Sequence, residues 1–128
     1  MASLTKLLLL IIGIFLFFTV RSMFAASAKS DVPRMAPAEA AAQVKAGTAI
    51  LIDVREPSEW ESGVAAPAYL LPLSDLRAER TKWGHVLADA KDKQLLLYCR
   101  SGNRSGQAAA LLAAEGFAVA NVGPAGNE

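Results

Sequence analysis

Apolar positions divide this 128-residue chain into one long unbroken block and a series of short ones. Residues 7–20 are 14 mostly apolar positions in succession, preceded by Lys6. Beyond a polar linker at residues 29–34 the pattern alternates between helical and strand periods. Residues 37–46 read as a helix, with Pro37 in the first turn, Glu39 near the positive end and Gly47 as the stop. Residues 49–54 form a continuous apolar run broken only by Asp53, as in a strand covered on both faces. Residues 56–61 predict a turn leading into a short helical piece, and residues 69–71 a short strand. Ser74 is expected to cap a polar helix that contains Leu76 and ends near Gly84. Residues 95–98 are the next buried strand, residues 104–115 an Ala/Leu helix stopped by Gly116, and residues 119–122 the last strand. Strands separated by helical stretches imply an α/β fold, a parallel sheet with helices on both sides.

The first block stands apart from this alternation. At 14 residues it is shorter than the roughly 20 that span a bilayer comfortably, yet it fits the apolar region of a secretory signal. Ala26-Ser27-Ala28 supplies the small-residue site, so cleavage after Ala28 would leave a chain beginning at Lys29. The alternative is an uncut membrane anchor with Arg21 snorkelling to the interface. Either way, residues 1–28 precede a domain over residues 35–128 that is expected outside the cytoplasm.

Setting residues 1–28 aside removes Lys6 and Arg21 but no acid, which turns the net charge from +1 to −1. No broad basic surface remains to attract nucleic acid, and a membrane is a partner only if the leader stays uncut. The remaining length suits one domain with one core. Small secreted chains often depend on disulfides, but the single cysteine, Cys99, forms none internally. A free thiol in an oxidising compartment points to reactivity, with an intermolecular bridge as the alternative.

Cys99 follows the apolar run Leu95-Leu96-Leu97-Tyr98 and opens Cys99-Arg100-Ser101-Gly102-Asn103-Arg104-Ser105, after which the helical pattern begins. The thiol therefore sits in a tight loop at a helix N-terminus. Unpaired backbone N–H groups and the positive end of the helix dipole converge there, favouring a thiolate and small anions. A small buried apolar role for the cysteine is the competing assignment.

Three segments together resemble the rhodanese homology family of sulfurtransferases over most of residues 36–123. They are Leu51-Ile52-Asp53-Val54-Arg55-Glu56-Pro57-Ser58-Glu59-Trp60, the joint Leu71-Pro72-Leu73, and Tyr98-Cys99-Arg100-Ser101-Gly102-Asn103-Arg104-Ser105. With a secretory signal on a short domain, the chain is most similar to small periplasmic thiosulfate sulfurtransferases of bacteria. The resemblance implies a rhodanese-like fold with a five-stranded parallel sheet flanked by helices, and a catalytic Cys99 that carries sulfur as a persulfide. It implies a small sulfur donor such as thiosulfate and a thiol or cyanide acceptor, with no cofactor and no metal. Arg100, Ser101, Gly102, Asn103 and Arg104 are then the substrate-binding residues, supported by Asp53, Arg55 and Ser105.

Loop length bears on the chemistry. Related phosphatases and arsenate reductases use C-x5-R, whereas Cys99 to Arg104 is C-x4-R, a smaller ring of N–H groups suited to one sulfur atom. A phosphatase-like enzyme and a non-catalytic binding module are the alternative functions. Arg100 is expected to project from the rim and attract anions, and Arg104 to anchor the loop to a carboxylate; two solvated charges are the alternative. Asp53 and Arg55, at the C-terminal end of a core strand, form a structural ion pair or contact substrate. His85 is assigned to the surface, and Trp60 and Trp83 to packing. Two segments depart from the family pattern: Gly63-Val64-Ala65-Ala66-Pro67-Ala68, which requires a different local turn, and residues 123–128, where the family has a Gly-Gly turn and a final helix.

Overall fold

The computed structural model describes residues 2–27 and 32–123. Two compact units divide at residues 31 and 32. The first holds a single helix, α1 (Ala2–Ser27), whose apolar side chains Leu7, Leu8, Leu9 and Leu10, pointing to different sides, are all exposed. The expected cleavage point after Ala28 and the start of the linker at Lys29 lie outside the described residues, as do residues 124–128.

The second unit is a five-stranded sheet, and every pairing in it is parallel. In chain order its elements are β1 (Arg34–Met35), α2 (Pro37–Ala46), β2 (Ala49–Asp53), α3 (Pro57–Trp60), β3 (Tyr69–Leu70), α4 (Leu73–Leu76), α5 (Trp83–Asp89), β4 (Gln94–Tyr98), α6 (Asn103–Ala114) and β5 (Val119–Val122). The strands lie in the order β1-β5-β4-β2-β3.

Alternation along the strands gives the sheet two apolar faces. On one, Ile50, Ile52, Leu95, Leu97 and Cys99 pack against α4, α5 and α6 through Leu73, Leu76, Trp83, Leu87, Ala108 and Leu112. On the other, Leu96, Tyr98, Ala120 and Val122 pack against Ala40 and Val44 of α2. This second face opens into an apolar groove of about 500 Å³ beside α2, and Cys99 is not among its lining residues.

Helix α2 begins with Pro37 and ends at Gly47, whose φ of 79° is the left-handed conformation that glycine adopts without steric cost. Its N–H caps the carbonyls of Gln43 and Val44.

Three local expectations are corrected. Arg34, expected to close a linker, instead opens β1: it registers with Asn121, and the Asn121 N–H donates to the Pro33 carbonyl. Ser74 does not cap a helix, because α4 starts after Pro72. Ser74 lies within α4, and its N–H and Oγ both donate to the Glu56 carboxylate. The single helix expected to run to Gly84 is two helices. Arg80 takes a φ of 57°, and the Asp75 carboxylate collects the N–H groups of Thr81, Lys82 and Trp83, starting α5 where the pattern predicted an end.

Trp83 is fully buried and donates from Nε1 to the Pro72 carbonyl, while Lys82 lies over the Trp60 ring. His85 is exposed. The turn at residues 63–68 contains a cis Ala66–Pro67 bond, and its Ala65 N–H donates to Tyr98 Oη.

Candidate active site

The C-terminal end of β4 delivers Cys99 to the sheet face covered by α6, one residue beyond the last strand position. The chain then turns through Arg100 and Ser101 to Gly102, which caps α6 with a φ of 83°. That left-handed residue turns the first N–H groups of α6 back toward the sulfur. The Gly102 N–H lies 3.1 Å from Cys99 Sγ, the Ser105 N–H 3.4 Å and Ser105 Oγ 3.4 Å.

Cys99 is 1% exposed. Burial alone pushes its thiol up, but donors from Ser105 Oγ and from the N–H groups of Ser105, Ser101 and Gly102 outweigh it. The net displacement is downward, toward the thiolate. The anion is thus stabilised by a ring of short dipoles in a site from which water is excluded. Arg100 is exposed and makes no hydrogen bond or ion pair among the described residues, so it lies free at the rim.

Arg104 is directed elsewhere. Its guanidinium makes a bidentate pair with Glu59 of α3, at 2.5 and 2.7 Å. The hydrogen bonds from Arg104 hold the Glu59 carboxyl down at about 2. Arg104 therefore ties the loop to α3, and of the five residues expected to bind substrate, it is the one whose side chain is already engaged by a carboxylate. Ser101 and Asn103 are exposed beside the loop: Ser101 Oγ accepts from the Asn103 N–H at 3.4 Å, and Asn103 Oδ1 accepts from Gln107.

Asp53 and Arg55 form a second layer beneath the loop's anchorage. Arg55 grips the fully buried Asp53 carboxylate through Nε and Nη2, the closest approach being 2.8 Å, and also donates to the carbonyls of Glu59 and Gly63. Tyr98 Oη donates to Asp53 at 2.8 Å. Asp53 and Tyr98 are registered neighbours on the face opposite Cys99. This pair braces the turns at 56–65 and does not approach the sulfur.

Asn121 and Glu59 complete the site, and the sequence alone marks neither as a site residue. Asn121 Oδ1 accepts from Ser105 Oγ at 2.7 Å, and its Nδ2 donates to the Gly102 carbonyl at 3.0 Å. The available signal was a lone polar residue inside the apolar run Val119-Ala120-Asn121-Val122. Glu59 lay within a recognised motif, but nothing local to it indicates a partner 45 positions away.

A family model described as "Rhodanese-like domain" matches residues 36–123. A protein named tRNA uridine(34) hydroxylase from Cronobacter sakazakii is 32% identical over 80 residues, covering 62% of this chain and 23% of that protein. A protein named sulfurtransferase from Allochromatium vinosum is 34% identical over 68 residues, covering 53% of this chain and 58% of its own length. The chain thus spans less than two thirds of the curated relatives it matches. Among solved structures, a rhodanese-related protein from Thermoplasma volcanium superposes with a TM-score of 0.59 at 27% identity, covering 72% of this chain and 84% of that one.

Proposed function

Since the chain belongs to the Rhodanese-like domain family, whose members among its relatives include a sulfurtransferase, we propose that it transfers a sulfane sulfur through a persulfide on Cys99. One observation carries the proposal: a buried sulfur facing a ring of donors, with the Gly102 and Ser105 N–H groups at 3.1 and 3.4 Å.

The Cys99 thiolate attacks the outer sulfur of thiosulfate or a similar anion. A bond forms between Cys99 Sγ and that sulfur, the S–S bond of thiosulfate breaks, and sulfite leaves with the electron pair. A thiolate or cyanide then attacks the terminal sulfur, and Cys99 departs as the thiolate. No strong general base is needed, because the donors around Cys99 favour its thiolate and sulfite is a good leaving group. The loop amides stabilise negative charge on the persulfide as an oxyanion hole stabilises oxygen. Arg100, free at the rim, attracts the anionic donor, and Arg104 keeps the loop in shape through Glu59.

The test is thiocyanate formation from thiosulfate and cyanide. Turnover by the intact chain and its loss in Cys99→Ala supports the proposal. A well-folded chain that forms no thiocyanate but hydrolyses an aryl phosphate favours a phosphatase-like enzyme, and one inert to both favours a binding module.

We further propose that the domain works outside the cytoplasm, exported by residues 1–28. The support is the apolar run at residues 7–20 followed by Ala26-Ser27-Ala28. Secreted protein beginning at Lys29 is the expected product, and membrane-bound material beginning at Met1 or Ala2 indicates an anchor instead.

A further inference from the structure

Ser105 has one hydroxyl proton and stands between two acceptors. Asn121 Oδ1 lies 2.7 Å from its Oγ and Cys99 Sγ lies 3.4 Å away. The Asn121 amide has a fixed sense, because its Nδ2 donates to the Gly102 carbonyl at 3.0 Å. A reversed amide would set oxygen against carbonyl oxygen. The residue itself is pinned in β5, 7% exposed, with its N–H given to the Pro33 carbonyl.

With a neutral thiol all three groups are satisfied in series: Cys99 S–H donates to Ser105 Oγ, and Ser105 donates to Asn121. Once the sulfur is charged it only accepts, and it competes with Asn121 for the same proton. A charge-assisted hydrogen bond is stronger than a neutral one, but the Asn121 contact has the usual O–H···O length of 2.7 Å, while 3.4 Å is a bonding separation for the larger sulfur, so both acceptors are within reach of the one proton. We propose that Asn121 is a positioning residue that acts on Cys99 through Ser105, withholding part of the hydroxyl's donation from the charged sulfur. The inference rests on the assignment of Cys99 as the sulfur-carrying nucleophile and adds a control on its basicity. A more basic thiolate is intrinsically the better nucleophile, so Asn121 trades some ionisation for reactivity of the ionised form. The charged groups around the loop are Arg104 with its partner Glu59, Glu56 close enough to act on Arg104, Arg77 on the Gln107 side chain of α6, Arg100 at the rim, and Arg34, whose Nη2 lies beside Gly102. All are left in place by the test.

The experiment measures the rate of Cys99 alkylation by iodoacetamide against pH in four chains: the original, Asn121→Ala, Ser105→Ala and the double substitution. Asn121→Ala should lower the inflection by about half a pH unit, since the freed proton turns wholly to the sulfur. It should also reduce the plateau rate of the fully ionised thiolate. In the Ser105→Ala background the same substitution should move both far less, since only the Asn121 contact with the Gly102 carbonyl is then lost. A shift of equal size in both backgrounds, or an upward shift in Asn121→Ala, overturns the proposal, since that is what loosening the loop alone would produce. If Asn121→Ala does not fold, Asn121→Leu, close in volume and without an acceptor, replaces it. It should likewise lower the inflection, by less when Ser105 is absent, and an equal shift with and without Ser105 is the contrary result. Alkylation does not depend on sulfur transfer. A chain that shows this coupling but never takes sulfur from thiosulfate refutes the persulfide proposal and leaves the role of Asn121 standing.

Discussion

Arg104 and Glu59 stand 45 positions apart in the chain and meet through two hydrogen bonds of 2.5 and 2.7 Å. The pair fastens the loop that surrounds Cys99 to α3, which is itself held to the end of β2 by Arg55. Removing the pair should therefore loosen the loop more than it weakens the fold. Both side chains are 31% exposed, and a pair so solvated contributes at most about 1 kcal/mol to stability. Glu59→Gln is expected to lower the urea midpoint slightly at pH 7 and to slow sulfur transfer per folded molecule. Unchanged turnover in this variant would remove the loop-anchoring role.

The same pair gives stability a dependence on pH. The carboxyl of Glu59 is lowered from 4.5 to about 2 in the folded protein. A depressed carboxylate contributes stability above its unfolded value and loses it as pH falls through the folded one. The gap in urea midpoint between the original chain and Glu59→Gln should be constant well above pH 4.5 and shrink as pH falls through 4.5 toward about 2. A gap as large at pH 2 as at pH 7 contradicts this.

Asp53 is fully buried and its carboxylate is shared by Arg55 and Tyr98. Deleting one member of a buried pair strands the other, at a cost of about 3 kcal/mol. Asp53→Ala should lose roughly that much stability in urea unfolding, while the folded fraction retains its KM for thiosulfate. A raised KM without loss of stability would instead make Asp53 a substrate contact.

Inserting one glycine after Ser101 tests whether loop size selects sulfur. The longer ring moves its N–H groups away from the persulfide position, and losing one such donor costs a preorganised site about 10²-fold in rate. Sulfur transfer should fall by that order, and inorganic phosphate binding should become measurable by calorimetry. A lengthened loop that transfers sulfur at full speed and ignores phosphate shows that size is not the selector.

The parts of the fold visible in sequence are those encoded by contiguous residues. The strands at Ala49–Asp53, Gln94–Tyr98 and Val119–Val122 are apolar runs, and α2 and α6 are periodic segments that end near Gly47 and Gly116. Cys99 and its loop were legible because the whole ring is local, spanning Cys99 to Ser105. What stayed hidden depends on distant partners. Arg34–Met35 is a strand only because β5 lies beside it, and the break between α4 and α5 is dictated by where the Asp75 carboxylate points. Asn121 reaches the loop across 16 positions and Glu59 across 45. Neither spacing leaves a periodic trace.

On the proposed mechanism Cys99 accepts one sulfur atom from an anionic donor. Intact-mass measurement after incubation with thiosulfate, followed by cyanide, tests it directly. The mass should rise by a single sulfur, return to its starting value on adding cyanide, and remain unchanged throughout in Cys99→Ala. A chain that gains no mass, or a Cys99→Ala variant that gains the same sulfur, contradicts the account.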